Sequence, residues 1–181
     1  HFVYLFLRYS NAISGLTPGR DLTPDMSDVL NDDEQPGNFI ATVGIPRALL
    51  FREFYPFWKT YFRKLNIRVK LSPPSSSDCL ALALSRLPAE TCLPVKLLFG
   101  HVASLEKEGV DTVFLPSMSR LLDGVSCPYI QHGAAMVHAN FDDINVVPLP
   151  LMPDLPAKER EKLAMRVAEV FGVDRADAEL A

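Results

Sequence analysis

FIATVG, Phe39 to Gly44, is a short apolar run that ends at a glycine, as buried strands of a parallel sheet often do. Further runs of this kind predict more strands along the chain: IRVKLS (67–72), DTVFLP (111–116), 127–130 and 145–148. Segments with helical spacing or helix-favouring residues separate them: 47–64, 76–87, 95–109, a short one between the last two strands, and one from Pro156 to Gly172.

Strands that alternate with helices predict an α/β layered domain with a mostly parallel sheet, Rossmann-like or flavodoxin-like. In such folds, ligands bind at the carboxyl ends of the strands. The loops after the predicted strands are therefore the first places to search for a site.

The chain of 181 residues divides by composition into four parts. Residues 1–14 form an apolar segment, shorter than the roughly 20 residues that a membrane helix needs and without signal-peptide features. Residues 15–37 are rich in proline and acidic side chains, which predicts a mobile linker. The α/β domain is predicted at 38–150 and a truncated helical segment at 151–181. The first residue, His1, indicates a fragment or a processed product.

Charge and cysteine content narrow the class of protein. A net charge of -4, with scattered lysine and arginine, gives no basic surface of the kind that nucleic acid requires. The three cysteines, Cys79, Cys92 and Cys127, are far apart in the chain and odd in number, which disfavours a disulfide framework. These features predict a cytoplasmic protein that binds neither nucleic acid nor membrane.

Cys92 lies in the motif TCLP, directly before a predicted helix start. Proline is favoured at the first helical position, so Pro94 would occupy it, with Leu93 as the N-cap. The sulfur of Cys92 would face unpaired backbone N–H groups, with Lys96 one turn into the helix. Positive charge and the helix dipole favour a thiolate, the form that acts as nucleophile or metal ligand.

Cys127 repeats this arrangement before Pro128, on a second loop that follows a strand. The two cysteines could therefore converge on one site. The alternative is that both thiols are inert packing residues, because free cysteine is among the most buried residue types. The chain has no C-x-x-C pair, which is the strong local signature of zinc.

Other candidate residues carry weaker signals. Arg47 follows the first strand and could bind an anion there. His101 lies inside a predicted helix, where a lone histidine is more often a packing or surface residue. The single glycine at Gly44 forms neither a dinucleotide-binding loop nor a P-loop, so the sequence predicts no ATP site.

Several motifs in the same order resemble a known family: GIPRALLFREFYPFWKTYFRKL (44–65), VKLSPP (69–74), PAETCLPVKLLFGHV (88–102), GVDTVFLPS (109–117) and CPYIQ (127–131). They are similar to activator-related proteins of the 2-hydroxyacyl-CoA dehydratase system, including the 2-hydroxyglutaryl-CoA system. They also resemble the iron-sulfur-carrying dehydratase subunits. In that family such a domain is often fused behind ATPase modules.

The resemblance implies that Cys92 and Cys127 are ligands of an iron-sulfur cluster of the 4Fe-4S type. Glu90, Lys96, Arg47 and His101 are the candidate supporting residues. A cubane cluster commonly takes four thiolates, so this chain would hold only part of one. The remaining ligands would come from a second subunit, a missing region or a non-cysteine group, or this copy has lost the cluster.

Three functions follow as alternatives. The first is an electron-transfer domain whose partner is an ATPase activator module, a dehydratase subunit or a second copy of the chain. The second is a cluster-free interaction module that docks through the aromatic helix Phe54 to Phe62, although aromatic residues at this spacing usually pack inward. The third is a zinc site of Cys92, Cys127 and His132. No complete catalytic constellation is present, so no enzyme activity is assigned.

Overall fold

The computed structural model describes residues 37–121, 124–151 and 156–174. The apolar segment at 1–14 and all but the last residue of the predicted linker at 15–37 lie outside the described residues. The strands are β1 Ala41–Ile45, β2 Ile67–Leu71, β3 Thr112–Met118, β4 Arg120–Leu121, β5 Gly124–Val125 and β6 Asn145–Leu151. The helices are α1 Phe51–Lys64, α2 Ser77–Leu84, α3 Leu93–Lys107, α4 Pro128–His138 and α5 Ala157–Val170.

Four strands form one parallel sheet in the order β2-β1-β3-β6. The short strands β4 and β5 pair antiparallel in a separate ribbon. This confirms the predicted α/β fold with a parallel sheet. The strand order is that of flavodoxin-like folds, in which β1 lies between β2 and β3 and the crossovers on its two sides cover opposite faces.

The predicted strand at Cys127 to Ile130 is wrong, because these residues begin helix α4. The backbone N–H groups of Ile130 and Gln131 both donate to the carbonyl of Cys127, at 2.9 and 3.2 Å. Pro128 is the first residue of the helix. Proline is favoured at this position because its ring fixes a helix-compatible φ and its missing N–H is not needed there. Pro128 therefore marks a helix start directly after Cys127, as Pro94 does two residues after Cys92.

Two apolar layers cover the sheet, and β3 contributes to both. Phe114 of β3 packs toward α1 and α5, whereas its neighbours Val113 and Leu115 pack toward α3 and α4. This alternation follows from the two-residue period of a strand. Both layers are needed because a parallel sheet buries both faces.

The aromatic side chains of α1 belong to the core. Tyr55, Trp58, Tyr61 and Phe62 are buried, and Phe57 is half-buried against them. Trp58 and Phe114 have ring centroids 4.6 Å apart. The aromatic side chains of 54–62, which the docking alternative placed on the surface, are thus mostly part of the protein's own core.

Strand β6 forms one edge of the sheet in the described part of the chain. The N–H of Asn145 donates to Asp111 O at 2.7 Å, so the odd-numbered residues of β6 bond to β3. The even-numbered residues, which include Pro148 and Pro150, turn their backbone nitrogen to the outer side. Among the described residues, no helix is long and apolar enough to cross a membrane.

Candidate functional site

The site is built at the carboxyl edge of the sheet. The loops after β1 and β2 leave the sheet at this edge. Helices α3 and α4 also begin at this edge. Each helix runs away from the edge and connects to a strand, β3 or β6, that runs back toward it. Parallel α/β folds bring loops and helix amino ends together in this way.

Cys92 and Cys127 are the N-cap residues of α3 and α4. Both thiols are free and exposed, and neither sulfur caps its own helix through a hydrogen bond. The N-cap of α3 is one residue earlier than the predicted Leu93, so Cys92 is closer to the helix end than expected. The first backbone N–H groups of each helix, which follow the cysteine, have no partner within the helix.

The backbone around each cysteine is anchored. Before Cys127, the hydroxyl of buried Ser126 donates to Met118 O at the end of β3, and Gln131 Nε2 donates to Ser126 O at 2.8 Å. Before Cys92, Lys96 Nζ donates to Ala89 O at 2.5 Å. The two thiols are therefore presented by fixed loops.

Helices α3 and α4 pack against each other at Gly133. A Cβ placed on Gly133 would lie 3.3 Å from Leu98 Cδ2. Leu98 is six residues after Cys92 (98 − 92), and Gly133 is six residues after Cys127 (133 − 127). Each cysteine thus lies about 9 Å beyond this contact, along helices that run in the same direction.

The two cysteines therefore lie at a similar level along neighbouring helices. At 3.6 residues per turn, each cysteine also lies about 120° around its helix axis from the residue that makes the contact. The contact of α3 with α4 thus does not by itself direct the two side chains toward each other. In the described part of the chain, no group of three or more His, Cys, Asp or Glu is arranged to hold a metal ion. His132 is thus not assembled with the two cysteines into the predicted zinc site.

A second group of polar residues lies at the ends of β1 and β2. His101 of α3 is fully buried, with Nδ1 3.0 Å from Ser72 Oγ and Nε2 3.0 Å from Ser75 Oγ. The backbone N–H of Arg47 donates to Ser72 Oγ at 2.9 Å, and Arg47 Nε donates to Ser72 O at 2.7 Å. We call these four residues the His101 network.

The imidazole of His101 is neutral at neutral pH. Burial lowers the pKa of His101 from 6.5 to about 4, and the charge of Arg47 lowers it in the same direction, partly opposed by a hydrogen bond to Pro73. Ser72 Oγ accepts from the Arg47 N–H and forms a second hydrogen bond with Nδ1, and Ser75 Oγ pairs with Nε2. Both ring nitrogens of the neutral imidazole therefore have partners.

The pair of Ser75 and His101 has the spacing of a nucleophile and its base, but not the electrostatics. A serine nucleophile needs a histidine that becomes positively charged during the reaction, stabilised by a carboxylate. Here Arg47 disfavours that charge. The His101 network therefore serves to hold the loop after β2 against α3.

Replacing Ser72 with alanine should destabilise the fold by about 2 kcal/mol, because it leaves the Arg47 N–H and His101 Nδ1 without their shared partner. Urea denaturation would measure the change. Ser75→Ala is the matched control. Ser75 is exposed, so water can replace its hydroxyl, and the free energy of unfolding should fall by less than about 1 kcal/mol. Equal losses in the two variants would contradict this account.

The predicted site residues thus separate into two groups. Cys92, exposed Glu90 and Lys96 lie at the amino end of α3, with Cys127 at the neighbouring helix end. His101 is nine residues further along α3 (101 − 92), about 13 Å away, and belongs with Arg47 to the other group. Cys79, the cysteine outside the family-like motifs, is buried between α2 and α3 and is a packing residue.

Ser72 and Ser75 were not predicted as part of any site. Ser72 ends the predicted strand at 67–72, and Ser75 lies in the proline- and serine-rich stretch directly after it. The signal that could have identified them is the position of polar residues at the carboxyl end of a parallel strand.

The model of the CoA enzyme activase uncharacterised domain family matches residues 42–181. No curated protein matches the chain, and no solved structure matches it.

Proposed function

The chain belongs to the family of the CoA enzyme activase uncharacterised domain, and from that premise we propose that it is an electron-transfer domain in the activation of acyl-CoA dehydratases. Cys92 and Cys127 would be ligands of an iron-sulfur cluster. The observation that carries this proposal is the position of two exposed thiols as N-caps of adjacent helices that run in the same direction, at the same level.

Two cysteine thiols are ligands of the type that an iron-sulfur cluster needs, although they are fewer than a complete set. Iron-sulfur clusters are held by cysteine thiolates, and their total charge is negative when thiolates and sulfides are counted. Cys92 and Cys127 are at the amino ends of α3 and α4, and the positive end of a helix dipole attracts a negatively charged group such as a cluster. When bound, the cluster would supply one-electron transfer.

The chain has only two exposed thiols, so in this proposal the cluster is shared with a second protein chain. A four-iron cluster takes four thiolates, and Cys79 is buried between helices and not available. A second copy of the chain, an ATPase activator module or a dehydratase subunit would supply the other two. All three cysteines are unpaired, in keeping with a reducing cytoplasmic location.

The test is iron and acid-labile sulfide per chain, with an absorption spectrum, after strictly anaerobic purification or reconstitution. We expect the wild-type chain to carry both elements, and Cys92→Ser and Cys127→Ser each to lose most of them, since each removes a thiolate ligand. Cys79→Ser is the matched control and should keep them.

Two outcomes would contradict the proposal. Wild-type protein that stays colourless after reconstitution, both alone and together with an ATPase activator module or dehydratase subunit, would show that the thiols hold no cluster. Equal iron content in Cys92→Ser, Cys127→Ser and Cys79→Ser would show that the iron is bound elsewhere.

A further inference from the structure

Helix α4 has no charged side chain, although one side of it is exposed. The run 124–141, which contains α4, is the longest in the sequence without Asp, Glu, Lys or Arg. Each of the other four helices in the described part of the chain contains such residues. A soluble surface typically carries charges at roughly 25–35% of its positions. A helix without them is typical of one that is covered on both sides.

One side of α4 belongs to the core and the other is open. Gly133, Ala134 and Val137 are buried, and the last two belong to the apolar layer that α4 shares with α3 and β3. The exposed residues recur every three or four positions, which places them together on the opposite side of the helix. We call this exposed side the α4 face: Tyr129, His132, Ala135 and the C-cap residue Ala139.

Apolar exposure continues at the amino end of the α4 face. Val125, three residues before α4 begins (128 − 125), is 82% exposed, the highest value of any large apolar side chain in the described part of the chain. Tyr129 is 39% exposed. The open side of α4 thus combines exposed apolar side chains with a complete lack of charge.

The α4 face has the composition of a protein–protein interface. The cores of such interfaces are depleted in charged residues and enriched in tyrosine. The face has no lysine or arginine, which binding to nucleic acid or to an anionic membrane surface requires. A charge on the partner would lose its water here without gaining a counter-charge. The partner is therefore a protein whose contacting surface is uncharged as well.

We propose that the α4 face binds the α4 face of a second copy of this chain across a two-fold axis. Near such an axis each residue meets the same residue of the other copy, so a charge there would face its own sign. A face without charges of either sign is what this arrangement requires. Surfaces that select a different protein normally carry charges that pair with that partner and exclude others, and the α4 face has none. The association needs no iron-sulfur cluster.

Sedimentation equilibrium of the iron-free chain of 181 residues tests this proposal, with a thiol reductant present so that no disulfide links the copies. We expect the mass to rise with concentration from 20.1 kDa toward twice this value. Ala135→Glu puts a carboxylate on the α4 face of both copies and should raise the dissociation constant at least about tenfold. His132→Glu changes a second position of the same face and should have the same effect.

Ala81→Glu is the matched control, because it makes the same substitution at an exposed alanine of α2. It should leave the dissociation constant within about twofold of the wild-type value. Circular dichroism melts of Ala135→Glu and Ala81→Glu should agree at a concentration where the wild type is monomeric, since both alanines are exposed. A difference in mass then reports on association and not on folding.

Two results would overturn the proposal. If the wild-type chain kept the mass of a monomer up to about 1 mM, the α4 face would be covered by a different protein or by another part of the chain. If Ala135→Glu and His132→Glu both associated as tightly as the wild type, the dimer would use another surface. Neither result depends on the iron content, so the test is separate from that of the proposed function.

Discussion

Gly100→Ala should destabilise the folded protein by about 3 kcal/mol or more. Gly100 lies on α3 where α2 crosses it. A Cβ at this position would be 2.1 Å from the carbonyl oxygen of Cys79 and 2.8 Å from its sulfur. The oxygen belongs to the backbone, so no rotamer change removes the overlap and the two helices must separate. The better helix propensity of alanine recovers at most about 1 kcal/mol.

Urea denaturation of the variant and the wild type would measure this loss. Gly133→Ala is the matched control, since it makes the same change in a neighbouring helix. Its Cβ would meet only side-chain carbons, the nearest at 3.3 Å, and the free energy of unfolding should change by less than about 1 kcal/mol. If Gly100→Ala proved as mild as Gly133→Ala, the close contact of α2 and α3 would be refuted.

Acid should destabilise the protein through His101 by about 2–3 kcal/mol between pH 7 and pH 4.5. In the unfolded chain the imidazole binds a proton near its ordinary pKa of 6.5, whereas in the fold its pKa is about 4. Above pH 7 both states are neutral, and His101 has no effect on the pH dependence. As the pH falls from 6.5 toward 4, only the unfolded state gains the proton, so stability falls. Below pH 4 this contribution becomes constant.

The measurement compares the free energy of unfolding at pH 7 and pH 4.5 in wild type and in His101→Gln. Glutamine retains a donor and an acceptor for the two serines but does not titrate in this range. Carboxylates contribute equally to both proteins, so the difference between the two slopes isolates the histidine. Parallel pH profiles would contradict a neutral, buried His101.

The sheet could be predicted because its strands are marked locally. Apolar runs such as 39–44 and 111–116 have the length and composition of buried parallel strands, and helical segments separate them. The structure confirms strands at these places with shifts of one or two residues. The strand prediction at 127–130 was wrong because a run of four residues does not reveal whether its proline begins a helix or bends a strand.

The candidate site was predictable only in part, because tertiary contacts build the rest. The motif TCLP marks Cys92 as a helix-start residue from local sequence alone. The His101 network joins Ser72 and His101 across 29 residues, and no local pattern shows that they meet.

The two outward prolines of β6 disfavour one way in which copies of this domain could associate, which is strand pairing along β6. A strand added beside β6 would find no N–H donor at Pro148 or Pro150, so pairing there loses two backbone hydrogen bonds. This protects that edge against fibril-like growth from one molecule to the next. A continuous sheet from one copy to the next through β6 is therefore disfavoured.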